Sequence, residues 1–384
     1  MQVIRGTIPQ RSLSFYNKKT HSIQSNIWDE LESGLWRKYN VDNRLYNDEL
    51  NETNQSKWRP VFPDIFPIYP GFHWEEESQS LKDTFYRPNL VEATYESFMS
   101  AAEMFFHQFD GKHLGVHLSG GLDSSLIICL LNHFGIPFEL VGLQSNRYEF
   151  RTERVVQDKL ASLGKRYQLI DLDLYPFYSN LDKTPKHQIP DSYIKMNEAD
   201  GAMASEFERL GVDIVLSGQG GDSLLTEDFR NISQFKGFNI NNEFTIPWEE
   251  DLLYAPRGIK LVSFFSDTNI IDQICSLRIG QGQDALKWWT RSFFKDLLPR
   301  ELSEYAYFGD FFGHSVSGLE MAKPTIKLLF EEAFELIKHP IFSPQQTKAF
   351  LNEDILSFGY KEYCAFGTKV SIAVWLHSLF RKDN

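Results

Sequence analysis

The chain is short of cysteine, of positive charge and of long apolar runs. Cys129, Cys275 and Cys364 are the only cysteines in 384 residues. They form no Cys-x-x-Cys pair, which speaks against a disulfide framework and a cysteine zinc site. No histidine pair has metal-ligand spacing. Lys and Arg total 39 against 52 Asp and Glu, a net charge of -13. A nucleic-acid partner is therefore not expected, because phosphate backbones call for a basic face. No apolar run reaches membrane-spanning length, and Met1 to Arg5 leads into no signal-type core, so the expectation is a cytoplasmic protein without a membrane partner. Repeats and low-complexity tracts are also missing. What remains is a globular composition, 42% hydrophobic and 24% charged, with residues enough for a sizeable core.

Against that background, Ser119-Gly120-Gly121-Leu122-Asp123-Ser124-Ser125 stands out. It lies between an apolar run, Leu114 to Leu118, and a helical pattern, Ser125 to His133. A strand that ends in Ser-Gly-Gly and opens a helix can grip a pyrophosphate. Glycines let backbone N–H groups approach phosphate oxygens, and the helix N-terminus adds free donors and a positive dipole end. The hydroxyls of Ser119, Ser124 and Ser125 add donors, and Asp123 is placed to hold a magnesium ion. No Gly-Lys-Ser/Thr follows the glycines, so this is not the other common phosphate loop. A Gly-Gly turn before a helix is also ordinary architecture. A second loop tips the balance: Ser217-Gly218-Gln219-Gly220-Gly221-Asp222, after the apolar run Val212 to Leu216. If both runs are parallel strands of one sheet, both loops open at its carboxyl edge, where such sheets bind ligands. Asp123 and Asp222 would then share a divalent ion with phosphate oxygens rather than repel one another.

The order of elements predicts an α/β fold. A helix is expected from Val91 to Phe109, with Phe98, Met99, Ala102, Phe105 and Phe106 on one face. Strand and helix patterns then alternate from Leu114 to Leu225, the sign of a parallel twisted sheet flanked by helices. The remainder, Phe229 to Asn384, reads mostly helical. Residues 1–90 are polar and turn-rich, broken by Pro60, Pro63 and Pro67. They read as a short α+β region, with strands at Val3–Gly6 and Ile65–Tyr69 and a helix at Ile27–Tyr39.

The two loops resemble the synthetase domain of the asparagine synthetase family, a branch of the ATP pyrophosphatases that includes β-lactam synthetase and the lasso-peptide cyclases. Weaker similarities extend over residues 65 to 380: Pro67 to His73, Leu140 to Leu143, Glu153 to Leu163, Lys287-Trp288-Trp289-Thr290-Arg291 with Leu297-Leu298-Pro299, and Val374 to His377. The resemblance implies an adenine nucleotide α-hydrolase-like fold over residues 91–384, with ATP and Mg2+ as cofactors. It implies AMP-forming adenylation of a substrate carboxylate, followed by amide formation. It places Leu118, Val141, Gly142, Ser217 and Gly218 at the nucleotide beside Ser119, Gly120, Gly121, Asp123, Ser124 and Ser125. Asp123 and Asp222 become the metal ligands.

Departures from the family matter as much. Residues 1–90 are shorter than a glutaminase domain, and no cysteine precedes Cys129. Without that thiol there is no nucleophile for glutamine hydrolysis. The amine is then expected from the substrate or from free ammonia. Gln219 stands where asparagine synthetases have a glutamate and β-lactam synthetase a tyrosine. It cannot act as a base, though it can hydrogen-bond a substrate. Glu249, Glu250 and Asp251 are candidate bases, weighed against a plain acidic helix start. The lysine usual after the Leu-Pro segment is replaced by a stretch that begins at Arg300 and continues without Lys or Arg to Asp310. Lys323, or Lys287, is the candidate replacement. His117 reads as a satisfied core histidine, Cys129 as a small buried residue, and Trp288-Trp289 as core. The expected substrate is a small molecule or peptide with a carboxylate, in specialised-metabolite or peptide biosynthesis. Self-association or a biosynthetic partner protein is left open. The alternative reading is a catalytically reduced nucleotide-binding partner.

Overall fold

A computed structural model describes residues 85–381, apart from 188–189, 191, 236, 240–249 and 306–310, together with the strands at 14–17, 22–24, 65–68, 72–75 and 80–83. The strand expected at 3–6, the helix at 27–39 and Glu249 lie outside the described residues, as do the side chains of Glu250 and Asp251. The strand expected at Ile65–Tyr69 is present as Ile65–Ile68, paired antiparallel with Ser14–Asn17.

Leu114 and Val116 pack on one face of their strand, while Gly115 leaves room for Phe207 on the other. That alternation seats a strand between two layers of helices. The sheet has five parallel strands: β1 (Leu114–His117), β2 (Phe138–Gln144), β3 (Tyr167–Asp171), β4 (Ile214–Ser217) and β5 (Lys260–Ser263). Their spatial order is β5-β4-β1-β2-β3. Strand β5 falls inside the stretch expected to be mostly helical. Four residues between Gly258 and Phe264 are too few for period to separate strand from helix.

One face carries α1 (Tyr95–His107), α2 (Leu122–His133), α3 (Arg151–Ala161) and later α6 (Thr268–Leu277). Helix α1 starts where Thr94 and Ser97 cap each other reciprocally, and it buries Phe98, Met99, Ala102, Phe105 and Phe106 as the sequence predicts. The other face carries α4 (Asn197–Leu210) and the C-terminal helices, ending in Tyr360–Phe380 with Trp375 buried. The short helix α5 (Gly221–Thr226) follows β4, and α7 (Trp288–Phe293) follows α6. Trp288, expected in the core, is instead exposed, with the Arg291 guanidinium 5.8 Å from its ring. Cys129 is buried as expected, which pushes its thiol up to about 12. No helix among the described residues is long and apolar enough to cross a membrane.

The chain steps from β1 through β2 to β3 on one side, then returns to β4 and β5 on the other. The switch point is the gap between β1 and β4, where sheets of this kind form a crevice at the carboxyl ends. Ser119 and Ser217 begin the two loops that open there.

Candidate active site

A cavity of about 620 Å³ opens at the switch point. Both loops line it, through Ser119, Asp123 and Ser124 on one side and Gly218, Gln219 and Asp222 on the other. The first loop is folded by its own groups. Ser119 Oγ lies 2.6 Å from Ser124 Oγ and accepts from the Gly121 N–H at 3.1 Å. Ser125 Oγ donates to the Gly121 carbonyl at 2.6 Å. Gly120 takes φ +79°, a left-handed value that favours glycine, and a Cβ there would meet the Glu153 carbonyl at 2.6 Å. Gly121 caps α2 without any side-chain hydrogen bond. The first N–H groups of that 12-residue helix therefore face the cavity without a capping acceptor.

The second loop rides directly on the first. A Cβ on Gly218 would lie 2.9 Å from the Ser124 nitrogen, and one on Gly221 would lie 2.6 Å from Asp123 Cγ and Oδ2. Bare backbone here lets two aspartates from separate loops converge. The Gln219 N–H donates to Ser217 Oγ at 3.1 Å, and its carbonyl accepts from Ser263 Oγ at 2.6 Å. Arg278, fully buried, donates to the carbonyls of Leu224 and Glu227 at 3.0 and 2.8 Å and so holds the end of α5.

Lys287 joins the two aspartates. Its Nζ donates to both Asp123 carboxylate oxygens at 2.7 Å and lies 2.6 Å from Asp222 Oδ1. Lys287 itself sits in the left-handed region, at φ 56°. A non-glycine there costs roughly 1–2 kcal/mol, a strain that clusters at functional sites. Arg291 pins the segment by donating to the carbonyls of Leu286, Leu302 and Tyr305. The Lys-x-x-x-Arg pattern thus divides into a site lysine and a scaffold arginine. Burial alone would lower the Lys287 pKa, and Asp123 with Asp222 overcomes it and holds the ammonium above its ordinary value. Burial pushes the Asp123 carboxyl up, and Lys287 opposes that shift.

The remaining expected residues fall into three groups. Leu118, Gly142, Ser217, Gly218 and Gln219 line the cavity. Gly120, Ser125 and Val141 sit just behind it: Val141 uses its carbonyl to accept from the Leu118 N–H at 2.8 Å. Lys323 is not brought to the site. Its ammonium is ion-paired with Glu320 at 2.8 Å and donates to the Glu353 carbonyl at 2.8 Å, in the C-terminal helices. Glu320 lies in the last turn of one helix and Lys323 begins the next, so the lysine finds a partner three residues away across that junction. His117, expected in the core, is half-buried at the end of β1, 2.8 Å from the Tyr254 hydroxyl and lowered to about 4 by loss of water, and it also lines the cavity.

Sequence reasoning missed four charged or amide side chains among the lining residues: Glu153, Arg154, Gln157 and Asp200. Gln157 donates to the carbonyls of Leu118 and Leu143 at 2.9 and 2.8 Å and so ties the ends of β1 and β2 together. No signal in a lone helix marks which of its polar residues will face a loop from another strand.

Asp123 and Asp222 reach one cation-sized point, already filled by an ammonium. That donor set fits a magnesium ion completed by phosphate oxygens and water. Among the described residues no group of three or more His, Cys, Asp or Glu is gathered for a metal, so the protein's share would be these two carboxylates.

No curated protein matches the chain. A solved structure, NMN synthetase from Francisella tularensis, is similar at 10% identity with a TM-score of 0.32, over 69% of this chain and 94% of that one. The sequence model of asparagine synthase matches residues 107–227, which hold both loops and the four strands β1 to β4. The match supports an ATP-using synthetase or ligase, and residues 107–227 are similar to the asparagine synthase family.

Proposed function

We propose that the chain is an AMP-forming, carbon–nitrogen ligase that adenylates a substrate carboxylate and passes the acyl group to an amine. The observation that carries this reading is the convergence of Asp123 and Asp222 on one cation, at the mouth of a Ser-Gly-Gly loop that opens a helix. Magnesium held by these two carboxylates would supply charge neutralisation for a leaving pyrophosphate. Ser119, Gly121 and Ser124, with the first N–H groups of α2, would receive the phosphate oxygens. Leu118, Gly142 and Gly218 offer backbone to the adenine end. Lys287, released from the aspartates when they turn to a metal, would direct its ammonium at the phosphate chain.

The described lining residues carry four carboxylates, Asp123, Glu153, Asp200 and Asp222, against two cations, Arg154 and Lys287. A polyanion such as ATP meets net negative charge there, so its entry depends on the divalent ion. The substrate we favour is a small molecule or peptide carrying a carboxylate, with the amine on the substrate or as free ammonia. The test is product analysis with ATP and candidate carboxylates. AMP and pyrophosphate are expected, and ADP with phosphate contradicts the proposal.

Gln219 favours one second reading, a nucleotide-binding partner without catalysis, because an amide lines the cavity where a base would serve. Tight Mg-ATP binding with no AMP under any substrate mixture would support it.

A further inference from the structure

The cavity holds two cations, and they differ in one respect. Lys287 is engaged by two carboxylates, whereas the Arg154 side chain makes no hydrogen bond or ion pair among the described residues. Arg154 is half-buried, on the first turn of α3. Glu153, its neighbour on that turn, packs its backbone against Gly120, so closely that a Cβ at Gly120 would meet the Glu153 Cα at 2.8 Å. Arg154 therefore stands on the turn that backs the first loop, and it lines the same cavity as Ser119 and Gly121. Partly removing a guanidinium from water without a partner is costly unless an anion arrives to pair with it. Arginine is also the cation best shaped to take two phosphate oxygens at once.

The geometry points to Arg154 as the cation that grips the phosphate chain of the nucleotide from the α3 side. This rests on the ATP reading above and adds a phosphate-binding group to it. It also eases the charge deficit: until a metal draws Asp123 and Asp222 away from Lys287, Arg154 is the lining cation ready for an anion among the described residues.

The test is calorimetric titration of wild type, Arg154→Gln and Arg154→Lys with magnesium pyrophosphate, Mg-ATP and adenosine. Arg154→Gln should weaken pyrophosphate and Mg-ATP by about tenfold or more, the scale of a lost charge-assisted bond. Adenosine affinity should stay level, and Arg154→Lys should recover part of the loss. The thermal midpoint should not change, because Arg154 holds nothing else in place. Equal pyrophosphate affinity in wild type and Arg154→Gln overturns the assignment while the ATP reading stands. So does an equal weakening of adenosine, which would mark a change of pocket shape. A wild-type protein that binds neither pyrophosphate nor Mg-ATP overturns the ATP reading and this assignment with it.

Discussion

Gly221→Ala isolates the contact on which the paired loops depend. Gly221 opens α5 with an ordinary backbone conformation, so alanine is allowed there, and helix propensity alone favours it by up to about 1 kcal/mol. Packing opposes this. The new Cβ would lie 2.6 Å from both Cγ and Oδ2 of Asp123, and 2.9 Å from its Cβ. Asp123 cannot swing away freely, because Lys287 holds both its oxygens at 2.7 Å. Overpacking of this kind costs about 1–3 kcal/mol, so the clash outweighs the propensity gain. Misplacing a metal ligand by a few tenths of an ångström should lower Mg-ATP affinity by about 10–100-fold, the range seen when a ligand's support is disturbed. Gly201→Ala is the control. It lies in α4, with nothing nearer than Leu253 Cδ2 at 3.9 Å. That change should stabilise by roughly 0.5–1 kcal/mol and leave binding alone. Thermal melting and calorimetric titration of both variants check this. If Gly221→Ala binds Mg-ATP as tightly as wild type, the loops do not meet as described.

Three further predictions concern the frame around the site. Arg291→Met strands the buried carbonyl of Leu302 and the part-buried ones of Leu286 and Tyr305, and should cost about 3 kcal/mol in chemical denaturation; Arg291→Lys should not rescue it, for want of the guanidinium fork. Phe105→Ala removes a ring packed against Phe106, Phe109 and Phe264 and should cost about 3–5 kcal/mol, with m unchanged. His187 is buried against Ser378 and Pro185, and burial lowers its pKa from 6.5 to about 4. The unfolded chain takes up its proton below 6.5 and the folded chain only near 4. Stability should therefore be intact above 6.5 and fall as pH drops through that window, by up to about 3 kcal/mol from this group. His117, also lowered to about 4, acts in the same direction. Urea midpoints at several pH values should show a shallower fall for His187→Phe, and an unchanged slope would refute the assignment.

The parts of this molecule that could be read in advance are those whose chemistry is contiguous. Both loops carry their glycines, hydroxyls and aspartate within a few residues, and α1 shows its buried face in one helical period. Strand β5 was not legible, since four residues carry no period. Lys287 was the harder case. It stands 164 residues from Asp123, and what brings it there is a left-handed turn and an arginine clamp, neither visible in a string of letters. Arg154, Gln157 and Asp200 reach the cavity only because α3 and α4 start at the carboxyl edge of the sheet. Lys323 was suggested by a missing charge, and a local glutamate claimed it instead.

Magnesium-dependent ATP binding tests the central claim most directly. Calorimetry should show Mg-ATP binding to the wild type, at least about tenfold weaker in EDTA, with the loss reproduced by Asp123→Asn and Asp222→Asn on folded protein. Binding that is indifferent to EDTA and to both substitutions would contradict the account, as would no binding at all.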